Sequence, residues 1–199
     1  INEEFINIAG RDIEGAEFGV EYRTARNRRL GEIALRGEAS YRHKFMLQES
    51  PGAAPGDDNW EDGRAKWRCN ATLRWRRGNW NAGWFTSYYG SFVDTSAGTT
   101  PAVYEYLGRP GYIDNTTKTN AGATRYLLEV KPAVAHNFNA GYLFDRRHRF
   151  APLRNTYLRC GVNNVFNPDP PIVDATYGYQ SGTFNPRGRQ YWLELAKNW

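Results

Sequence analysis

The chain has 199 residues, of which 40% are hydrophobic and 24% charged, with a mean hydropathy of −0.74 and a net charge of +5. It contains no apolar run of the ~20 residues a membrane helix needs, which leaves open a membrane β-barrel, whose alternating faces average out as polar. Two cysteines exclude a disulfide scaffold, and the basic balance points to an anionic surface, either lipid or nucleic acid.

In chain order, Ile1 opens directly into charged residues with no leader pattern, as in a processed or partial chain. Over 13–23, Ala16, Phe18, Val20 and Tyr22 oppose Glu17, Glu21 and Arg23, a period of two that predicts a strand. After the turn 24–31, the segment 31–45 alternates Ile33, Leu35, Gly37, Ala39, Tyr41, His43 and Phe45 with Glu32, Arg36, Glu38, Ser40, Arg42 and Lys44. A loop over 48–63, rich in Gly, Pro and Asp, precedes 64–75. There Ala65, Trp67, Cys69, Ala71, Leu73 and Trp75 form one face, and Arg64, Lys66, Arg68, Asn70, Thr72 and Arg74 the other.

The turn 76–79 leads to a strand over 80–93 with Trp80, Ala82, Trp84, Thr86, Tyr88 and Phe92 on one face. The region 94–125 reads as a long loop with a helical turn at 101–108. Strands follow at 133–144, with Val134, His136, Phe138, Ala140, Tyr142 and Phe144 on one face, and at 156–166, with Leu158, Cys160, Val162 and Phe166. A loop over 167–187 precedes the last strand, 188–199, carrying Tyr191, Leu193, Leu195, Lys197 and Trp199. The expectation is an all-β, antiparallel chain of about seven strands.

Short turns and long loops alternate, so each kind gathers at its own end of the sheet. Outer-membrane barrels have this asymmetry. The short turns hold Arg26, Arg28 and Arg29, then Arg76 and Arg77, then Arg146, Arg147 and Arg149, a basic rim suited to phospholipid headgroups. Nucleic acid is not expected as a partner, because no stacking aromatics or binding motif accompany these arginines. Trp67, Trp75, Trp80 and Trp84 are candidate membrane-interface anchors around a slim apolar band. The opposite face then meets water, with Glu17, Glu21, Glu32 and Glu38 available to the cations. The histidines and cysteines form no catalytic or metal-binding spacing, so neither enzyme activity nor a cofactor is expected.

The terminal stretch resembles the C-terminus of TonB-dependent outer-membrane receptors. Asn164-Val165-Phe166-Asn167 stands where that family has Asn-Leu-Phe-Asp, and Pro170-Pro171 supplies its Pro pair. Gly188-Arg189 precedes a last strand ending in the aromatic Trp199, and Gly19-Val20-Glu21 matches an upstream strand of the family. The resemblance implies that residues 1–199 are the last part of a 22-stranded transmembrane β-barrel in a Gram-negative outer membrane. Long loops would be extracellular and short turns periplasmic, and the plug domain is absent from this chain.

It further implies energised uptake of a scarce nutrient: a ferric siderophore, haem, a vitamin or an oligosaccharide. The implied partners are outer-membrane lipid, the rest of the barrel and plug, the TonB complex acting through that plug, and the barrel-assembly machinery. That machinery would read Tyr191, Leu193, Leu195 and Trp199. Loop aromatics Trp60, Tyr104, Tyr106, Tyr112, Tyr177 and Tyr179 are the substrate-contact candidates, against plain loop packing. Two alternatives stand beside this: a receptor-derived scaffold of the outer membrane, and a soluble carbohydrate-binding β-sandwich.

Overall fold

A computed structural model describes residues 10–109, 116–120, 123–174, 178–180 and 183–197. The chain is mostly antiparallel β-sheet with almost no helix. The main sheet contains β1 (Gly10–Arg23), β2 (Glu32–Gln48), the two-residue β3 (Gly56–Asp57), β4 (Trp67–Arg77) and β5 (Trp80–Tyr89). A second, three-stranded sheet, in the order β6-β8-β7, is formed by β6 (Phe92–Thr99), β7 (Thr116–Asn120) and β8 (Ala123–Val130). The main sheet resumes with β9 (Ala133–Phe144), β10 (Thr156–Asn163) and β11 (Gln190–Lys197). Its order is β1-β2-β4-β5-β9-β10-β11, with β3 beside the end of β2. Every neighbouring pair is antiparallel, so β1 and β11 run in the same direction. The sheet is open: β1 and β11 are its two edges and do not pair with each other.

All seven expected strands are present, in sequence order along the sheet. The register places their apolar stripes on one common face. One row runs Phe18, Ala39, Cys69, Tyr88 and Val134. Another runs Tyr22, Leu35, Leu73, Trp84, Phe138, Val162 and Tyr191. A third runs Ile33, Trp75, Ala82, Ala140, Cys160 and Leu193. The other face carries Glu38, Asn70 and Ser87 in one row and Glu32, Arg76, Asn81 and Gly141 in another.

Two details depart from simple alternation. In β2 the residue His43 is extra: Glu14 pairs with Lys44, but Gly15 pairs with Arg42. This β-bulge reverses the parity of the strand beyond it. Lys44 therefore joins the apolar face, beside Asp12 and Glu14, and Phe45 turns to the polar face, where it is buried under the Arg42 and Arg64 guanidinium groups. Gly15 is required there, since a Cβ would lie 2.5 Å from the Tyr41 carbonyl oxygen. Second, the region 94–125 is not a simple loop. It holds the second sheet and α1 (Pro101–Tyr106), which begins at the N-cap Thr100 with Pro101 as its first residue.

The most buried apolar cluster is not on the sheet faces. Phe92, Val130, Val173 and Phe184 form it, with Trp60, Tyr89, Ala133 and Tyr179 packed against it. These residues come from all three long connections and the strand ends beneath them. The main sheet has no second layer over its apolar face among the described residues: Phe18 is 56% exposed, Tyr191 73% and Leu193 72%.

Candidate functional site

The connections β1–β2, β4–β5 and β9–β10 are short and lie at one end of the sheet, whereas β2–β4, β5–β9 and β10–β11 are long and lie at the other. The long ones are tied together through β6. Asp62 from the first accepts the Thr95 backbone N–H and hydroxyl, both at 2.9 Å. Asp94, itself buried, accepts the Asp174 backbone N–H from the third at 2.7 Å and the Ser96 N–H at 3.0 Å. Glu61 bridges to Val93 as a short parallel pairing. A buried carboxylate is tolerated when several donors satisfy it, and here the donors to Asp94 join the second and third connections, while Asp62 ties the first to the second.

Beneath this cap lies a cleft of about 830 Å³ against the polar face. Asn70, Ser87, Asn137, Asn163 and Gln190 line it, with Arg68 and Tyr89 at its margin. Arg68 lies over the Tyr89 ring and donates to its hydroxyl at 2.6 Å, while that hydroxyl donates to the Gly63 carbonyl. Such a lining presents mostly neutral donors and acceptors, with one cation already engaged and one carboxylate, Asp169.

Among the substrate-contact candidates, Trp60 and Tyr179 pack against the buried cluster. Tyr104 is buried and stacks on Tyr126, with ring centroids 4.4 Å apart and 19° between planes. Tyr106 is 89% exposed. Tyr112 and Tyr177 lie outside the described residues, as does Trp199 of the terminal strand. Tyr191, Leu193 and Leu195 of that strand stand exposed on the apolar face at the β11 edge.

The four tryptophans proposed as anchors all belong to the apolar face. Trp67 packs with Tyr41 (4.7 Å between centroids) and Phe18 (6.4 Å) toward the long-connection end. Trp75 donates its indole N–H to the Leu30 carbonyl at 2.8 Å, and Trp80 packs on Tyr142 at 4.6 Å, both at the short-turn end. The eight residue steps from Trp67 to Trp75 span about 27 Å along β4, with Cys69, Ala71 and Leu73 between them. Trp84 joins a polar cluster on this face: its N–H donates to Thr86 Oγ1 at 3.1 Å, and Thr86 Oγ1 lies 2.9 Å from His136 Nδ1. Phe166 closes over the cluster, edge-on to His136 at 5.0 Å.

Part of the charge on the polar face is paired locally. Arg36 meets Glu38 at 2.6 Å, Arg159 meets Glu194 at 2.6 Å, and Arg23 approaches Glu32 at 3.7 Å and Glu21 at 3.9 Å. The glutamates thus meet Arg23 and Arg36 rather than the β4 cations. Arg64 and Lys66 precede β4, and Arg64 stacks on Phe45 instead of extending the row. Sequence reasoning missed Asp62, Asp94 and the His136–Phe166 contact, because their partners are far away in the chain. Among the described residues, no three His, Cys, Asp or Glu side chains gather as a metal set. Comparison with family models, curated proteins and solved structures finds no match for this chain.

Proposed function

We propose that this sheet is part of the wall of an outer-membrane β-barrel of the TonB-dependent receptor type, and that the whole protein takes up a scarce nutrient. The observation that carries the reading is the register. Seven apolar stripes converge on one face that no second layer of the described chain covers, while the opposite face is charged and partly ion-paired. Hydrocarbon on one side and water on the other accounts for both. Aromatic pairs toward both ends of the apolar face support interfacial placement. The open edges call for further strands, supplied by the remainder of the barrel. A soluble sandwich would lay a second sheet over the apolar face, whereas β6, β7 and β8 belong to the long-connection end.

In this reading the stitched long connections face the cell exterior, and the amide-lined cleft below them contacts cargo. Transport would be energised through TonB acting on a plug domain. The native thiols test the placement. In outer-membrane vesicles carrying the full-length protein, Cys160 should resist a charged, membrane-impermeant methanethiosulfonate. A cysteine replacing Asn70 on the polar face, in a background lacking Cys69 and Cys160, should react. Equal reaction of Cys160 and the Asn70→Cys thiol overturns the membrane placement. For transport, a strain lacking the gene should leave in its medium a compound that the parent depletes, and depletion should stop on adding a proton uncoupler. Identical media from both strains overturn the uptake role.

A further inference from the structure

Three arginines of the polar sheet face, Arg23, Arg36 and Arg159, each have a glutamate partner. Those on the short-turn rim do not: among the described residues, Arg26, Arg28, Arg29 and Arg77 meet no carboxylate. Unpaired cations crowded together repel one another, so their placement favours an external anion.

Two turns bring these cations together. The β1–β2 connection closes with reciprocal Asn27 and Gly31 backbone hydrogen bonds, and Asn27 Oδ1 accepts the Arg29 N–H at 2.7 Å. Gly31 has φ +84°, and a Cβ there would lie 2.3 Å from the Arg76 carbonyl oxygen. Only glycine lets this turn press against the β4–β5 hairpin, whose own Gly78 has φ +56°. The result is a cleft of about 470 Å³ lined by Arg26, Arg28 and Arg77 with the backbone of Gly31 and Gly78, and no acid lines it.

The surroundings of this cleft are apolar on the side of the exposed sheet face. Leu30 is 69% exposed beside the arginines, and its carbonyl holds the Trp75 indole. Arg77 pairs directly with Trp80. The β9–β10 turn repeats the combination, with Arg146, Arg147 and Arg149 beside Phe150, itself 59% exposed. A free phosphate or an acidic peptide has no use for exposed Leu30 and Phe150. A lipid does, because acyl chains cover the apolar residues while guanidinium groups reach the phosphate.

We infer that the two packed turns form a binding site for the phosphodiester headgroup of an anionic phospholipid, centred on Arg26, Arg28 and Arg77. This rests on the membrane reading above and adds a specific lipid class and site to it. The test is native mass spectrometry of the detergent-solubilised full-length protein, titrated with phosphatidylglycerol and, separately, phosphatidylcholine. Phosphatidylglycerol should bind at least fivefold more tightly. The triple variant R26Q/R28Q/R77Q should lose that preference, while R109Q, at the opposite end of the chain's fold, should keep it. Circular dichroism and heat-modified gel migration check that the triple variant is folded.

Equal binding of the two lipids, or an unchanged preference in the folded triple variant, overturns the inference. Displacement of phosphatidylglycerol by millimolar inorganic phosphate, or by a decaglutamate peptide, overturns it in favour of a soluble anion. Failure here with Cys160 still protected in vesicles removes the lipid site and leaves the barrel reading intact.

Discussion

Asn167 Oδ1 accepts the backbone N–H of Arg189 at 2.7 Å across 22 residues of chain, and so draws the start of β11 to the end of β10. Asn167 does this from a left-handed conformation, φ 55°, which asparagine and aspartate tolerate better than other side chains. Gly188, at φ +67°, sits where a Cβ would come within 2.9 Å of the same oxygen. Asn167→Ala should lower stability by about 1–2 kcal/mol, while Asn167→Asp, which keeps the acceptor, should stay close to wild type. Urea unfolding of the full-length protein from lipid vesicles measures both, and hydrogen exchange at the Arg189 amide should quicken only in the alanine variant.

Gly161 lies directly beneath the Trp192 indole. A Cβ at Gly161 would stand 2.4 Å from Trp192 Cζ2 and 2.8 Å from the Phe138 carbonyl oxygen. The Arg159 guanidinium covers the same indole at 4.9 Å. Gly161→Ala should cost about 1–3 kcal/mol through overpacking. In a Trp192→Ala background the cost should shrink but persist, because the Phe138 backbone remains. A double-mutant cycle by urea unfolding reads this, and strict additivity would refute it.

Thr86 stands between two polar partners on an apolar face. Its hydroxyl accepts from Trp84 and lies in hydrogen-bond range of His136 Nδ1. Thr86→Val keeps the shape but strands both groups, so a loss of about 1–3 kcal/mol is expected, with Thr86→Ser largely restoring stability. The vesicle unfolding assay applies again, and a valine variant as stable as wild type would contradict the hydrogen-bonded cluster.

Asp94 is the hub of the long-connection end. Replacing it with alanine removes the acceptor for Asp174 and Ser96 together. Limited proteolysis should then cut within 164–189 at least tenfold faster, while the main sheet keeps its circular dichroism signal. Unchanged cleavage would show that apolar packing around Val173 and Phe184 holds the connection by itself.

The seven strands were legible because each sheds its apolar residues to one side, and period two survives any loop length between strands. The reversal at His43 was not. The residues Tyr41, His43 and Phe45 continue the alternation on paper, and only the pairing with β1 reveals the extra residue. β8 escaped for another reason: Leu127 and Leu128 are adjacent and both buried although they fall on opposite faces of the strand, which breaks the period of two. Trp60, Tyr104 and Tyr179 were recognisable as loop aromatics, but their packing against Phe92, Val130 and Tyr126 depends on which connections converge. The unpaired rim arginines were visible as clusters, while the close approach that unites two of those clusters depends on Gly31.

The common direction of β1 and β11 limits what can complete this sheet. Two copies set side by side, β11 of one against β1 of the next, would meet as parallel strands at every junction. A symmetric ring of identical units would carry that mismatched seam once per subunit. A wholly antiparallel enclosure would instead need a complement of odd strand count whose two edge strands run opposite to β1 and β11, so any arc that closed this sheet would be no copy of it.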